Sequence, residues 1–231
     1  MRQIPLPIGP VPAPSFQNFV PGANAAALDH LCALAETAAP GAARVPVYLW
    51  GPSGSGKSHL LHALVRRHRQ RGGVALTVDA ATPLPWTLPP AASLVVIDDC
   101  DALDAARQHA AFTLFVEATG AAVQLAAAGR LPPVDLPVRE DLRTRLGWGH
   151  VFALQPPTEA EVGAVLRQQA AARGITLGDE VVSYLLTRFE RDLKHLMPLF
   201  ERLDAYALAE QRPQLTVPLL KRMLAEGAPA R

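Results

Sequence analysis

The sequence lacks the features that would assign it to several common classes of protein. Its two cysteines, Cys32 and Cys100, form no CxxC pair, so we expect neither a disulfide framework nor a zinc site. No apolar run reaches the roughly 18 residues that a membrane-spanning helix needs, and the beginning lacks the apolar stretch of a signal peptide. The 22 Lys and Arg residues nearly balance the 21 Asp and Glu residues, so no overall positive field would hold the chain on DNA. We therefore expect a cytoplasmic protein without membrane contact.

The residues that are present can bury a sizeable core. The chain has 231 residues, of which 49% are hydrophobic, a length that suits one or two domains. Residues 1–15 are rich in proline and have no helical periodicity, which predicts an extended tail. Residues 16–155 contain short apolar runs separated by helical stretches, which predicts a parallel sheet covered by helices on both faces. Four such runs are visible: VPVYLW, VALTV, SLVVID and AVQLAAA.

Beyond Phe152 the pattern changes and no further strand is predicted. Residues 156–231 form amphipathic stretches, so we expect a small all-α domain after the α/β domain. Its first helix has Thr158 as N-cap, Glu161 completing a capping box, and Gly174 as its stop. Pro198 lies early in a later helix and is expected to kink or delay it.

A glycine-rich stretch, GPSGSGKS, follows the first predicted strand and precedes an apolar helix. It matches the phosphate-loop pattern GxxxxGK[ST], in which glycines let backbone N–H groups curl around a phosphate. Lys57 would supply a positive charge to the β- and γ-phosphate oxygens, and the Ser58 hydroxyl would ligate Mg²⁺. The sequence thus predicts a site for ATP or ADP with Mg²⁺, formed by Gly51, Pro52, Gly54, Ser55, Gly56, Lys57, Ser58 and His59.

Two adjacent acids, Asp98 and Asp99, follow the third predicted strand in LVVIDDCD. Asp98 at the strand end is expected to hold the magnesium through water, and Asp99 could polarise an attacking water. A solvated turn would be the alternative for this pair alone. The phosphate loop upstream in the same sheet favours the metal site.

With these motifs, the chain resembles the AAA+ ATPases of the DnaA family, from about Phe16 to Gly227. FQNFVPGAN resembles the segment that packs around adenine in that family, LRTRLGWG resembles its box VII, and FERDLKHL resembles its sensor 2. The resemblance implies an AAA+ fold with an α-helical lid. It also implies adenine contacts from Val20, Pro21 and Gly22, an arginine finger at Arg145, and a phosphate contact from Arg191.

The tail carries a second resemblance. QIPLPI, residues 3–8, is similar to the hexapeptide by which many bacterial replication proteins dock on the β sliding clamp, DnaN. Prolines extend the backbone before binding, which lowers the ordering cost, while the other side chains can fill pockets. The expected clamp contacts are Gln3, Ile4, Leu6, Pro7 and Ile8.

The expected function follows from these resemblances together. DnaA initiators carry a DNA-binding domain after the lid, and we expect this chain to lack it and to reach DNA only through the clamp. The prediction is a negative regulator of chromosomal replication initiation that inserts Arg145 in trans into ATP-bound DnaA. Such a protein activates hydrolysis in DnaA rather than turning over its own nucleotide, and leaves DnaA in its inactive ADP form.

Alternatives remain open at this stage. Where sensor 1 usually offers a polar residue, the sequence has Ala128, Gly129 and Arg130, which weakens the case for self-catalysed hydrolysis. Asp99 favours the opposite, an autonomous ATPase such as a helicase loader. A DNA-binding initiator paralogue would show salt-dependent DNA affinity, which the near-neutral charge disfavours. Self-assembly into a homo-oligomer also stays open.

Overall fold

In the computed structural model of the protein, the described residues are 13–36, 44–189, 193–210 and 214–226. They fall into two compact units, which divide between Pro156 and Pro157. The helices of these ranges include none with the length and apolar character of a membrane span. Both cysteines are free thiols.

The first unit contains a five-stranded parallel sheet with the strand order β2-β3-β4-β1-β5. The β4 strand lies between β1 and β3, so the chain crosses over rather than adding each strand beside the last. The strands are β1 (Val47–Trp50), β2 (Val74–Val78), β3 (Ala92–Ile97), β4 (Gln124–Gly129) and β5 (His150–Ala153). The helices of this unit are α1 (Ala25–Glu36), α2 (Lys57–Gln70), α3 (Ala105–Gly120) and α4 (Glu140–Leu146).

Both faces of the sheet are buried, which explains why its central strands are continuous apolar runs. Successive residues of a strand point to opposite faces. Leu94 and Val96 of β3 therefore join one core with residues of α1 and α2, while Val95 and Ile97 join the other core with residues of α3 and α4. The predicted α/β domain with helices on both faces is confirmed.

The sequence patterns miss one strand of the sheet. The β5 strand stands at the edge, where His150, Val151 and Ala153 are exposed, so it lacks the apolar run of the central strands. The connection over residues 82–90 has no helix, as its prolines suggest.

The second unit has its own buried core, formed by four helices. Thr158 and Glu161 form the predicted reciprocal capping box, and Gly174 follows the end of the first helix with a positive φ of 71°. The prediction that no strand follows Phe152 is wrong, because β6 and β7, two residues each, pair in parallel in this unit. Its elements are α5 (Glu159–Ala172), β6 (Thr176–Leu177), α6 (Asp179–Arg188), α7 (Leu193–Ala209), β7 (Gln214–Leu215) and α8 (Val217–Glu226).

Pro198 lies inside α7, which continues on both sides of it. A proline here removes one backbone donor. The apolar side of the helix compensates, because Leu196, Phe200 and Leu203 are fully buried in the core of this unit.

Candidate functional site

The phosphate-loop motif forms the turn between β1 and α2, at the carboxyl edge of the parallel sheet. Gly51, Gly54 and Gly56 all have positive φ values, which side chains with a Cβ adopt only with strain. At Gly56 there is also no room, since a Cβ would lie 2.5 Å from Cε2 of Phe19. The loop therefore has the curled, side-chain-free backbone that a phosphate cradle needs.

Lys57 begins α2 and is almost completely buried, with 7% of its surface exposed. Its Nζ donates to the carbonyl oxygens of Gly51, at 2.8 Å, and Pro52, at 2.9 Å, so the ammonium lies inside the loop. Burial lowers the pKa of Lys57, while the charges of Asp99 and Asp98 act in the opposite direction. The ammonium is thus held where a phosphate would sit, close to two carboxylates.

A second polar group of the loop lacks a hydrogen-bond partner in the part of the chain that the structure describes. The Ser55 Oγ is buried and makes no hydrogen bond within the described residues. A buried hydroxyl without a partner costs free energy unless a ligand satisfies it. Together with the glycine backbone and Lys57, this hydroxyl fits a bound phosphate group.

The acids that follow β3 reach the same edge of the sheet, because β3 and β1 both flank β4 in parallel. Asp98 is 8% exposed, and its Oδ1 accepts a hydrogen bond from the Asp99 backbone N–H at 2.9 Å. Asp99 has a positive φ of 47°, an uncommon conformation for a residue other than glycine. Ser58 is half-buried at the start of α2, and its hydroxyl and the carboxylates are oxygen donors of the kind that Mg²⁺ accepts.

The segment before α1 packs against the phosphate loop. Phe19 contacts Gly56, and its ring lies 5.6 Å from that of His59. The Ser15 carbonyl oxygen is 3.0 Å from His59 Nε2. Residues 20–22, the proposed adenine contacts, directly follow Phe19 and are half-buried or exposed, so they are accessible beside the loop.

Asn24 anchors this segment from the other side. Its side chain is buried, donates through Nδ2 to the Gln155 carbonyl oxygen and accepts through Oδ1 from the Gln155 N–H, both at 2.8 Å. The two hydrogen bonds tie the segment to the chain just after β5. Sequence reasoning did not identify this pair, because its two residues are 131 positions apart.

Arg145 lies in a different environment. It stands near the end of α4, half-buried, with its Cζ 5.3 Å from the ring centre of Phe112, 5.8 Å from that of Phe115 and 5.9 Å from that of Trp148. Trp148 itself is 66% exposed. The arginine faces an open groove of about 820 Å³. The groove contains no residue of the phosphate loop: its lining is Phe112, Arg139, Glu140, Asp141, Thr144, Arg145 and Trp148.

The carboxylate of Asp141, close to this arginine on the same helix, is already paired. Arg139 binds Asp141 in a two-point ion pair, with distances of 2.7 and 3.2 Å. Within the described part of the chain, Arg145 makes no ion pair or hydrogen bond of its own. Its guanidinium is therefore held by aromatic rings and has its donors available.

Two sets of predicted site residues are outside the described residues. They are the clamp-binding residues 3–8 and Arg191. The remaining predicted nucleotide contacts, from Val20 to Asp99, gather at one edge of the sheet.

Two family models match the chain. The lid domain of Hda matches residues 159–224, and the bacterial DnaA ATPase domain matches residues 12–74. They cover the lid helices and the segment that includes the phosphate loop.

Solved structures show the same fold. Domain III of the replication initiation protein DnaA from Thermotoga maritima aligns with a TM-score of 0.75 and 19% identity, covering 95% of this chain and 99% of that chain. AMPPCP-bound DnaA from Aquifex aeolicus aligns with a TM-score of 0.70 and 18% identity, covering 94% of this chain and 71% of that chain. The Holliday junction branch migration motor RuvB from Thermotoga maritima aligns with a TM-score of 0.60 and 15% identity, covering 86% of this chain and 68% of that chain.

The parallel sheet, the phosphate loop and the helical second unit form an AAA+ fold, which the chain shares with domain III of DnaA. Two stretches of the chain are similar to proteins of that fold: residues 159–224 to the lid domain of Hda and residues 12–74 to the ATPase domain of bacterial DnaA. The resemblance to the DnaA family that the sequence motifs predicted is confirmed.

Proposed function

We propose that the chain is a negative regulator of chromosomal replication initiation. In this proposal it binds ADP or ATP with Mg²⁺ at the phosphate loop, docks on the β sliding clamp through residues 3–8, and supplies Arg145 to ATP-bound DnaA. The family models support a role in the regulation of initiation. The AMPPCP found in two of the similar DnaA structures supports adenine nucleotide as the ligand.

The observation that carries the proposal is the state of Arg145. An arginine that acts on another molecule must keep its charge, keep its donors and stand at an accessible surface. Arg145 meets these needs because aromatic faces support it and no described carboxylate pairs with it. The exposed Trp148 beside it is typical of the aromatic anchors found at protein interfaces.

The chemistry takes place on DnaA. Water attacks the γ-phosphorus of ATP, the bond to the β–γ bridging oxygen breaks, and ADP and inorganic phosphate form. Negative charge develops on the transferred group and the leaving oxygen, and a guanidinium placed there stabilises it. Arginine fingers supplied in this way raise the rate by about 10³- to 10⁵-fold.

In this proposal the chain's own nucleotide serves its structure and assembly. Lys57 and the loop N–H groups would hold the β- and γ-phosphates, while Ser58 and Asp98 would hold Mg²⁺. The metal would neutralise phosphate charge at this edge. Residues 20–22 would contact the adenine.

The test is the hydrolysis of DnaA-bound ATP in the presence of clamp-loaded DNA. Arg145→Ala should lower the stimulated rate by about 10³-fold, since it removes the finger. Arg143→Ala, two residues away on the same helix, is the matched control and should leave the rate within about twofold. Equal rates for the wild type and the Arg145 variant would show that Arg145 is not the arginine finger.

The clamp contact is tested separately. Deletion of residues 1–8 should abolish co-purification with the β clamp and leave the AAA+ domain folded, because the described cores are built from Phe16 onwards. Full clamp binding by the deletion variant would remove the docking claim without affecting the finger.

A second candidate function is an autonomous ATPase. The adjacent Asp98 and Asp99 at the end of β3 favour it, because they could hold Mg²⁺ and polarise a water in the same site. Substantial ATP turnover by the isolated protein that is lost in Asp99→Asn would favour this function over the regulator.

A further inference from the structure

The end of α2 carries a dense run of cations that the nucleotide site does not use. Residues 66–71 read RRHRQR, and the four arginines of this run are all exposed. Arg44, which precedes β1 in the chain, lines a cavity of about 260 Å³ together with Arg71 of this run. Five arginines thus gather at one end of the helix, in a chain whose formal net charge is only +1.

The acidic residues of the described elements that pack here do not balance this charge. None of the 14 residues of α2 is acidic, and neither is any residue of β2 or β3. The neighbouring helix α1 has two acids, Asp29 and Glu36. The dipole of α2 adds about half a negative charge at the end of the helix. The five arginines exceed all of these together, so this end of the first unit has an excess of positive charge.

Glu36 is shared between two of these arginines. Arg67 donates through Nε and Nη2 to Glu36 Oε1, at 2.9 and 2.6 Å, and Arg71 donates through Nη1 to Oε2 at 2.6 Å. All three side chains are at least 40% exposed. Exposed ion pairs of this kind are weak, so another anion can compete for the same donors. The contacts therefore hold the two guanidiniums at the surface without neutralising both of them.

Arg66 and Arg69 lie on an adjacent face of the same helix end, because residues three apart are neighbours on a helix surface. Arg69 donates through Nη2 to the Ala75 carbonyl oxygen of β2 at 3.1 Å. A guanidinium has five N–H donors, so this contact fixes the position of Arg69 and leaves donors for a further acceptor. The positive surface consequently extends from Glu36 to the edge strand β2.

This end of α2 is accessible to a large ligand. Gly72, which follows the helix, also lines the cavity, and a Cβ at this position would meet nothing within 4 Å. No aromatic side chain stands in the run 66–71 or among the described residues that line the cavity. Binding of unpaired bases depends on aromatic side chains for stacking. The residues therefore suit a ligand that is recognised through its phosphates alone.

We propose that the basic end of α2 binds the phosphate backbone of duplex DNA. Arginine suits this ligand, because its planar fork donates two parallel hydrogen bonds to a phosphate and always keeps its charge. A duplex presents a regular row of phosphates, which cations spread around a helix end can contact without reading the bases. The chain then contacts DNA itself, in addition to the expected route through the clamp. The proposed contacts are Arg44, Arg66, Arg67, Arg69 and Arg71.

The clamp would give this contact its use. Sequence-independent contacts with DNA are weak, with dissociation constants of about 10⁻⁴ to 10⁻⁶ M. Docking on a clamp that is loaded on DNA makes the second contact intramolecular, with an effective concentration in the millimolar range for a short linker. The basic surface does not depend on the clamp, whereas this use of it rests on the proposed docking through residues 3–8.

The first test is the binding of the full chain to a fluorescent DNA duplex, measured by anisotropy at increasing salt. With about four phosphate contacts, the wild type should lose about 100-fold in affinity between about 50 and about 200 mM salt. Arg66→Ala combined with Arg69→Ala should weaken binding at least about tenfold at the lower salt and about halve the salt dependence, since two contacts are lost. Arg66→Lys combined with Arg69→Lys keeps both charges and should keep the salt dependence.

The matched control is Arg167→Ala. Arg167 is another exposed arginine, which donates through Nε and Nη2 to Asp179 in the second unit. Its removal changes the net charge by one without touching the end of α2, so it should leave DNA affinity within about twofold. Thermal unfolding of each variant checks that it is folded, which substitutions at exposed positions should preserve.

The second test compares the free clamp with the clamp loaded on DNA. The wild type should bind the loaded clamp about tenfold more tightly, because two contacts act together. The double alanine variant should bind both forms equally. Deletion of residues 1–8 should abolish binding to the free clamp and leave the affinity for the bare duplex unchanged.

The outcomes separate this inference from the proposed function. No duplex binding by the wild type at about 50 mM salt, or equal binding by the double alanine variant, would overturn the DNA surface, whatever the result with the clamp. Equal or tighter binding to single-stranded DNA, or to vesicles of anionic phospholipid, would show that duplex DNA is not the partner. A wild-type chain that binds the duplex but not the clamp would overturn the docking and leave the DNA surface in place.

Discussion

Lys57 and Arg145 are both cations of the first unit, but their side chains lie in opposite kinds of environment. Lys57 is buried, and backbone carbonyl oxygens of the phosphate loop hold its ammonium. Arg145 is half-buried on aromatic rings, at the edge of an open groove, and has no carboxylate partner among the described residues. The lysine is thus directed into its own loop and the arginine towards the surface.

The two environments suit cations that act on different ligands. A buried cation whose donors point into a concave backbone can act only on a ligand inside that cradle. A cation on an aromatic platform keeps its charge and its donors for a molecule that arrives from outside. In the proposed function, Lys57 accordingly acts on the chain's own nucleotide and Arg145 on that of a partner.

The largest expected effect comes from removing each of the two cations in turn. Lys57→Ala should weaken the binding of ADP about 100-fold or more, roughly 3 kcal/mol, because the phosphates lose their charged donor. Arg145→Ala should leave ADP affinity unchanged. Titration calorimetry on both variants is the measurement, with thermal unfolding as a check that each is folded. Loss of ADP affinity in the Arg145 variant would contradict the division of roles.

A second prediction concerns the shape of the cradle. Gly56→Ala should lower the free energy of unfolding by about 2 kcal/mol, because a Cβ would combine a left-handed φ with a close contact to Phe19. Gly72→Ala is the control: its φ is also positive, but a Cβ there meets nothing within 4 Å. It should cost about 1 kcal/mol, and denaturant unfolding would reveal both values. Equal costs would mean that the Phe19 contact yields easily.

A third prediction concerns the aromatic platform. Trp148→Ala should change the free energy of unfolding by less than about 0.5 kcal/mol, because the side chain is 66% exposed. The same variant should reduce the stimulated hydrolysis of DnaA-bound ATP by about five- to tenfold, since an interface anchor and one support of Arg145 are lost. Leu208→Ala, an exposed residue of α7, should affect neither quantity. An unchanged hydrolysis rate would exclude this face from the contact with DnaA.

The smallest predicted effect is on pH dependence and involves the histidines at the edge of the sheet. Burial, and secondarily the nearby His150, lowers the pKa of His30, whose Nε2 is buried without a hydrogen-bond partner among the described residues. The unfolded chain then binds the proton more readily, so the stability contribution is present above the ordinary histidine pKa and is lost as the pH falls below it.

The measurement is denaturant unfolding at about pH 7.5 and about pH 5.5, on either side of the ordinary histidine pKa. The wild type should be less stable at the lower pH, and His30→Phe should reduce the difference while keeping the ring contact with Phe152. His109→Gln, at an exposed position of α3, should leave the difference as it is. A pH dependence that is the same in all three proteins would exclude a role for His30.

Much of the fold could be predicted because its signals are local. The apolar runs of β1, β3 and β4 are buried on both faces, so each reads as a strand without knowledge of its neighbours. The capping box of Thr158 and Glu161 spans three residues and is confirmed. The edge strand β5 could not be predicted in this way, because half-exposed residues carry no such pattern.

The candidate site also contains residues that the sequence predicts and contacts that it does not. The phosphate loop is a contiguous motif, and phosphate binding requires its spacing of glycines, lysine and serine. Its residues can therefore be recognised in the sequence. Asn24 pairs with Gln155, and Asp101 pairs with Arg130, although the two residues of each pair are distant in the chain. No pattern among neighbouring residues predicts these hydrogen bonds. The contact by which the Tyr48 hydroxyl leaves no room for a side chain at Gly129, the last residue of β4, is likewise not predictable from the sequence.

Patterns among neighbouring residues identify the central strands and the loop that can hold a phosphate, but they do not identify β5, β6 and β7. Which charges are buried, which are paired and which stay available follows from the tertiary packing. The strand order places the ends of β3 and β4 and the phosphate loop at one edge of the sheet. The packing of α4 places Arg145 against aromatic rings, in a groove that contains no residue of that loop. The physical reason is that the burial and pairing of a charge depend on everything around it in space, whatever its distance along the chain.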